Sequence, residues 1–504
     1  MMSVEELNYI KSLKHILMGF AEVVSEIEIT GVAIDSRKVK PGNLFLAYRG
    51  LNHNGLDYIK NAIEAGAVAI AIDETESFDS SLISKEIIKV PKLRKNSGFI
   101  ISRFYGDPSK NIEIIGITGT NGKTTVSYLL AYAIHELKRS SAFIGTLGNG
   151  LFGQIESSKT TTPDPAKLHS LFSLWEKQVD FVAMEVSSHA LKQDRVEGID
   201  FNTAVFTNLS RDHLDYHKTY DDYISAKFSL FEKEGLQNAV INIGDSYGAR
   251  LIEKLPTDIN VFGYSVNKSN LKFYKREKIS FIFCEHIEVE SFTKKIIRVQ
   301  SPWGRVTIKV NLIGEFNIEN ILAAFTVLSL SGMPIEEIAN VLSGFTGLPG
   351  RMEVFSSGSK PLIIVDYAHT PDALKKALTS LKPYCRGKLF CIFGCGGGRD
   401  IGKRAQMGSV AESLSDQIIL TNDNPRDESP DEIFKNILEG IKNKSSVTIK
   451  EDRSDALIST FIDAKVDDVI LFAGKGHEMT QQIGSNIVPF SDRELAKRLT
   501  EERP

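Results

Sequence analysis

Between Ile112 and Thr125 the chain reads IEIIGITGTNGKTT. The stretch opens on an apolar, β-branched run, Ile112-Glu113-Ile114-Ile115, which predicts a buried parallel strand. A glycine-rich turn follows, Gly116 to Gly122, and then Lys123-Thr124-Thr125. Beyond it Val126, Leu129, Leu130, Ala133, Ile134 and Leu137 recur at helical spacing and mark one apolar face. Strand, glycine turn, Lys-Thr and helix, in that order, are what a phosphate-binding loop requires. The glycines let backbone N–H groups close around phosphate oxygens, and the helix N-terminus adds the positive end of its dipole. Lys123 is placed to neutralise β- and γ-phosphates, and Thr124 to set its hydroxyl on a magnesium ion. The spacing departs from the common one: Ile117 stands five residues before the Gly-Lys pair, and the glycines fall at Gly116 and Gly119 instead.

With 504 residues the chain is too long for one core, and its length suggests about three domains. A net charge of −4 leaves no electrostatic footprint for nucleic acid. Glu5 and Glu6 stand where a signal peptide would be basic, and no apolar run approaches the ~18 residues of a membrane span. A cytoplasmic protein with no membrane insertion is the expectation. Cys284, Cys385, Cys391 and Cys395 form no CxxC arrangement and read as free thiols of a reducing compartment, Cys391 within an apolar strand.

Residues 1–106 show α/β alternation without a phosphate loop. Leu44 to Ala47 and Ala67 to Ile72 read as strands and Tyr58 to Ala65 as a helix, while Asp35-Ser36-Arg37 reads as a polar turn. Asp107-Pro108-Ser109-Lys110 reads as a linker. A central unit, residues 107–346, carries further apolar strands at Val179 to Val186, Thr203 to Thr207 and Ala239 to Ile243. Their ends are polar: Glu185 with Ser187, Ser188 and His189; Asn208 with Asp212 and His213; Asn242 with Asp245. In a parallel sheet these ends share the edge occupied by the phosphate loop, where ligands bind. From about residue 260 to 312 alternating segments around Ser301-Pro302-Trp303-Gly304 predict an antiparallel subsheet. Gly314 to Asn317 then opens a helix with Asn317 and Asn320 on one face. Gly347-Leu348-Pro349-Gly350 marks a second boundary. In residues 347–504 four apolar strands alternate with helices, a second doubly wound α/β unit. Its strand ends carry Asp366 to His369, Gly394 to Asp400, Asp423 to Arg426 and Gly474 to Glu478.

Beside a phosphate loop, Glu185 and His213 favour Mg²⁺ over a structural zinc, since no cysteine lies near. Lys227 reads as an ordinary helix lysine. Arg351, at the second boundary, is either a solvated arginine or a cation that reaches a γ-phosphate and couples domain closure to chemistry. Arg399 and Arg426 offer two planar forks for carboxylates, and Asp423 and Glu478 two anions for an ammonium group. Together they describe an amino-acid site, or, more plainly, solvated loop charges.

These stretches together resemble the Mur ligases over almost the whole chain, and the loop from Gly119 to Thr125 is similar to that of the folylpolyglutamate synthetases too. The matching segments are Asp35-Ser36-Arg37, Gly119 to Thr125, Met184 to His189, Thr207 to His217, Gly350 to Glu353, Asp366 to Pro371, Asp423-Asn424-Pro425-Arg426 and Gly474 to Glu478. The nearest likeness is to the branch that adds the third residue to the peptidoglycan precursor UDP-MurNAc-L-Ala-D-Glu. The resemblance implies an N-terminal α/β domain holding the UDP end, a central P-loop ATPase-like parallel sheet with an antiparallel subsheet, and a C-terminal Rossmann-like doubly wound domain. It implies ATP contacts at Gly119, Thr120, Asn121, Gly122, Lys123, Thr124, Thr125, Asn317, Asn320, Arg351 and Asp366. The nucleotide-sugar peptide would meet Ile34, Ser36, Leu51, Asn52, His53, Thr161, Thr162, Ser187, Gln193 and Arg195. Magnesium would lie with Thr124, Glu185, His213 and a carbamylated Lys227. Lys123, Glu185, His213, Lys227 and Arg351 would carry catalysis.

The incoming amino acid would meet Arg399, Asp423, Asn424, Pro425, Arg426, Gly474 and Glu478. The Asp-Asn-Pro-Arg motif resembles the version that takes meso-diaminopimelate, whose second carboxylate Arg426 can pair. The expected reaction is ATP-driven amide formation through an acyl phosphate, in a monomer whose domains close before chemistry. A lysine-adding ligase is the nearest alternative. A nucleotide-regulated binding protein without catalysis is opposed by the presence of Lys123, Glu185, His213 and Lys227. A motor or transport ATPase is opposed by the missing membrane segment and the paired arginines.

Overall fold

The computed structural model describes residues 9–50, 53–79, 85–268 and 279–501. Three main sheets organise them. The first runs in chain order through β1 (Gly31–Ala33), β2 (Asn43–Ala47), β3 (Ala69–Asp73) and β4 (Glu86–Val90), all parallel. The inner strands NLFLA and AIAID are apolar almost throughout, as strands covered on both faces must be. Helix α1 (Leu93–Tyr105) closes one face with Leu93, Ile100, Ile101 and Phe104. The stretch read as a linker is fixed in place. Pro108 and Ser109 are buried in a 3₁₀ turn, and the Ser109 hydroxyl donates to Asp200 at 2.9 Å.

The central sheet is built on β5 (Glu113–Thr118), with α2 (Lys123–Glu136) leaving the loop after it. The loop is shorter than its glycines suggest, because Gly116 lies inside the strand. A Cβ there would stand 2.7 Å from the Phe201 ring, so this glycine makes room for packing. The other strands are β6 (Ser141–Gly145), β7 (Gly148–Leu151), β8 (Phe181–Glu185), β9 (Thr203–Phe206), β10 (Asn238–Asn242), β11 (Asn260–Ser265), β12 (Ile279–Val289), β13 (Lys295–Ser301) and β14 (Gly304–Val310). Their spatial order is β14-β13-β12-β11-β10-β9-β5-β8-β6-β7. The antiparallel ribbon β12-β13-β14 is present, and it continues the same ten-stranded sheet through the parallel pairs β10–β11 and β11–β12. Helices α3 (Pro165–Trp175) and α4 (Tyr220–Phe228) cover one face, α2 and α5 (Glu315–Leu330) the other. Pressed between sheet and α5, α2 is buried well beyond one stripe, with Thr124, Thr125, Ser127 and Ala131 also inside.

The last sheet has the order β15-β16-β20-β17-β18-β19. Its strands are β15 (Glu353–Phe355), β16 (Leu362–Asp366), β17 (Leu389–Phe393), β18 (Gln417–Leu420), β19 (Val447–Ile449) and β20 (Val469–Ala473). All pairs are parallel except β15–β16. A hairpin, β21 (Thr480–Ile483) and β22 (Asn486–Pro489), stands beside the strand ends. The four cysteines are free, and three are buried. No described helix is long and apolar enough to cross a membrane.

Candidate active site

The C-terminal edges of the central and last sheets face one another across a cavity of about 510 Å³. Both edges contribute. Lys123, Thr124, Glu185, His213 and Lys227 line it from the central lobe; Arg351, Asp366, Arg399, Arg426 and Glu478 line it from the last.

The loop after β5 sits where the strand order turns, with β9 on one side and β8 on the other. A Cβ at Gly119 would stand 1.9 Å from Thr207 Oγ1, so no other residue fits. Thr207 Oγ1 in turn donates to Asn121 O at 2.6 Å, and Asn121 N donates to Asn208 Oδ1 at 2.9 Å. Gly122 has φ of 85°, and its bare Cα faces Asn320 Oδ1. Thr120 donates to Ser210 O, and Thr125 is buried at the start of α2. Lys123 Nζ curls over the loop and donates to Gly119 O at 2.9 Å and Thr120 O at 2.8 Å. Burial lowers its pKa; Glu185 and Asp212 act the other way. Glu185 is 1% exposed and accepts from Thr124 Oγ1 at 3.0 Å and Thr146 N at 2.7 Å. Burial raises its pKa, and Lys123 opposes that rise.

Lys227 is not the ordinary helix lysine its sequence suggests. It is 1% exposed, donates to Gly119 O at 2.6 Å and lies over the Tyr223 ring. Burial, with Lys123 close by, holds its pKa well below the usual lysine value. His213 takes a left-handed backbone, φ 55°, at the start of a short helix. Its Nε2 is 3.2 Å from Asp212 Oδ2, and its ring meets His189 edge-on at 4.7 Å. Burial keeps it neutral, far below the ordinary histidine range.

Arg351 is no solvated arginine. Its guanidinium stacks on Tyr367 at 4.3 Å, and Nη2 donates to Thr124 Oγ1 at 3.4 Å. Asp366 anchors the turn after it, accepting from Met352 N at 2.7 Å and Ala368 N at 2.8 Å. Three further contacts cross between the lobes. Asn121 Nδ2 donates to Asp372 at 3.1 Å, Arg211 pairs with Asp400 at 3.2 Å, and His369 Nε2 lies 3.9 Å from Asp212. Asn317 and Asn320 line the cavity, joined by a 2.9 Å bond from Asn320 Nδ2 to Asn317 Oδ1.

Thr161, Thr162, Ser187 and Arg195 line the cavity toward the first lobe. Arg195 donates to Thr162 O at 3.0 Å and to Gln193 Oε1 at 2.9 Å, which places Gln193 just behind the rim. Ile34, Ser36 and His53 lie on the first lobe outside this cavity, and Leu51 and Asn52 fall outside the described residues. The lobes are pinned by Arg94–Asp194 at 2.8 Å and Lys38–Asp164 at 3.6 Å.

On the last lobe, Arg426 has φ of 54° and Nη1 donates to Gly397 O at 2.9 Å. Arg399 is half exposed, 4.0 Å from Asp215. Gly474, φ 119°, lies so close to Asp423 that a Cβ would sit 2.5 Å from its Oδ2. Asn424 and Glu478 line the cavity, whereas Pro425 does not; its carbonyl is pressed against Gly397.

Three family models match in series: Mur ligase family, catalytic domain, over residues 28–105; Mur ligase middle domain over 117–328; and Mur ligase, glutamate ligase domain, over 350–476. The chain belongs to the Mur ligase family. Among its relatives, a UDP-N-acetylmuramoyl-L-alanyl-D-glutamate--2,6-diaminopimelate ligase of Coxiella burnetii is 45% identical over 94% of this chain and 96% of the relative. The enzyme of that name from Pseudomonas aeruginosa is 41% identical over 95% and 96%. A solved structure of such a ligase superposes with a TM-score of 0.69 at 32% identity, covering 97% of this chain and 99% of that one. A Mycobacterium tuberculosis folylpolyglutamate synthase complexed with ADP and AMPPCP shares the fold, with a TM-score of 0.60 at 18% identity over 75% of this chain and 92% of that one.

Membership makes this an ATP-dependent ligase. Two residues of this Mur ligase make contacts to which the sequence reading assigns no role. Asp212 stands between His213 and His369 and touches both lobes; nothing in Asn208-Leu209-Ser210-Arg211-Asp212 marks a partner in the last lobe. Lys475 is fully buried beneath Glu478, which nothing in Gly474-Lys475-Gly476 marks.

Proposed function

We propose that this Mur ligase joins an amine of meso-diaminopimelate to the γ-carboxylate of D-Glu in UDP-MurNAc-L-Ala-D-Glu. Residues 1–106 bind the UDP end, 107–346 bind ATP and 347–504 bind the amino acid. The observation that carries the reading is one cavity lined by both Lys123 and Arg426. A phosphoryl donor and an amine acceptor there lie within reach of a single carboxylate.

The D-Glu carboxylate attacks the γ-phosphoryl group, ADP leaves, and an acyl phosphate forms. Lys123 and Arg351 take up the charge that spreads over the transferring oxygens. The diaminopimelate amine attacks the acyl carbon, loses a proton, and phosphate departs. Arg426 pairs with the distal carboxylate of the amino acid in a planar fork. Enclosure between the lobes keeps water from the acyl phosphate.

The donors beside the loop fit magnesium. Thr124 and Glu185 supply hard oxygens 3.0 Å apart, with His213 at the same wall. Among the described residues no three His, Cys, Asp or Glu side chains are grouped so as to hold a metal ion by themselves, so Thr124, Glu185 and His213 would share it with bound phosphate. Bound there, magnesium neutralises phosphate charge. Lys227 has the low pKa a carbamylated lysine needs, because only the neutral amine adds CO₂. Lys227→Ala should lose activity and regain part of it with added short carboxylates; no regain at any concentration removes the carbamate.

Incubation with ATP, UDP-MurNAc-L-Ala-D-Glu and either meso-diaminopimelate or L-lysine, followed by product mass, tests the proposal. The diaminopimelate adduct should dominate. A dominant lysine adduct, or ATP hydrolysis without any adduct, overturns it.

A further inference from the structure

Beneath the amino-acid loop lies a cation that does not reach the cavity. Lys475 is 0% exposed, and its Nζ donates to Glu478 Oε2 at 2.7 Å and to Asn424 Oδ1 at 3.1 Å. Asn424 Nδ2 donates to the same Glu478 oxygen at 3.0 Å. The second Asn424 Oδ1 lone pair is taken by Gln482 N at 2.9 Å. Asn424 and Glu478, two cavity-lining side chains from different loops, are thus locked to one buried ammonium.

The turn itself cannot relax. A Cβ on Gly476, φ 51°, would stand 2.6 Å from Gly350 O and 2.8 Å from Tyr367 Cβ, so the segment is wedged against the Arg351 hinge. A lysine with no exposed surface is tolerated only when paired, and its field is little screened by salt.

We propose that Lys475 is a positioning residue that decides which amino acid the site accepts, a reading that rests on the ligase function proposed above. It holds Glu478 in one rotamer and spends one of its oxygens, so Glu478 presents a weakened anion to the cavity. At this corner Lys475 and Arg426 balance the anions Asp423 and Glu478, while Arg399 has its own partner in Asp215. An amino acid whose far end carries a carboxylate beside its ammonium group adds no net charge and is accepted. One ending in a bare ammonium, as lysine does, brings a cation that this balanced corner leaves uncompensated, and it is disfavoured. Lys475 therefore selects by charge without touching the substrate.

The test is steady-state kinetics of the full chain with both amino acids. Lys475→Met should raise KM for diaminopimelate roughly tenfold, the scale of one lost charge-assisted hydrogen bond. It should also cut the diaminopimelate-over-lysine ratio of kcat/KM by about tenfold, while KM for ATP and for UDP-MurNAc-L-Ala-D-Glu stay put. Breaking a buried pair can unfold a lobe, so Lys475→Gln, which keeps a donor and drops the charge, is the second variant. It should lower the ratio with a smaller rise in KM. A ratio within twofold of wild type in a folded variant, or a parallel rise in all three KM values, overturns the proposal. Wild-type chain that ligates neither amino acid would instead sink the ligase reading itself.

Discussion

His169 on α3 is fully buried, with Nε2 3.4 Å from Glu197 O and Nδ1 without a hydrogen-bond partner. Burial pushes its pKa down to about 4. The folded chain therefore keeps it neutral where the unfolded chain would take up a proton. Its contribution is intact above the ordinary value of 6.5 and is lost as pH falls from there toward 4. The loss amounts to about 3 kcal/mol at the acid end. Urea midpoints at pH 7 and pH 4.5 should fall further apart in wild type than in His169→Gln; equal spacing removes His169 from the acid response. At this scale the sequence is legible where a residue has a local reason. Gly119, Lys123 and Thr124 are explained by the strand before them and the helix after. Lys227 and Lys475 are not, because burial by distant segments turns ordinary lysines into special ones.

Hairpin β21–β22 begins beyond residue 476, where the glutamate ligase domain match ends, yet it holds the loop from Asp423 to Arg426. Gln481 Nε2 donates to Asp423 O at 2.8 Å and Asn422 O at 3.3 Å. Arg426 N donates to Gln482 O at 3.2 Å, and Gly484 N donates to Arg426 O at 2.7 Å, clamping the left-handed backbone that aims the guanidinium. Gln481→Ala takes its donor from the Asp423 carbonyl, while the Asn422 carbonyl keeps Arg453 Nη1 at 3.4 Å, and KM for the amino acid should rise about tenfold. KM for ATP should not change; a shared rise would mean that the whole lobe loosened. Strands with continuous apolar runs, such as β5, β8, β17 and β20, were legible in the sequence. The edge strands β15 and β19 were not, since three partly exposed residues carry no period. The antiparallel ribbon could be read, but its fusion to the parallel sheet could not, because the joining strands β11 and β12 pair in parallel, and that pairing is not specified by sequence pattern.

The molecule as a whole is arranged so that two lobes complete one site. Asn121–Asp372, Arg211–Asp400 and Arg351–Thr124 cross the cleft, and each ties the central lobe to the last. If both half-reactions occur in that shared space, the acyl phosphate never leaves the chain that made it. Mixing Lys123→Ala chains with Arg426→Ala chains measures this most directly, at diaminopimelate concentrations below KM. Activity of the mixture should equal the sum of the two variants alone, because neither chain holds a complete cavity. Recovery toward the wild-type rate would mean that phosphorylated intermediate passes between chains, and that Lys123 and Arg426 do not serve a single site.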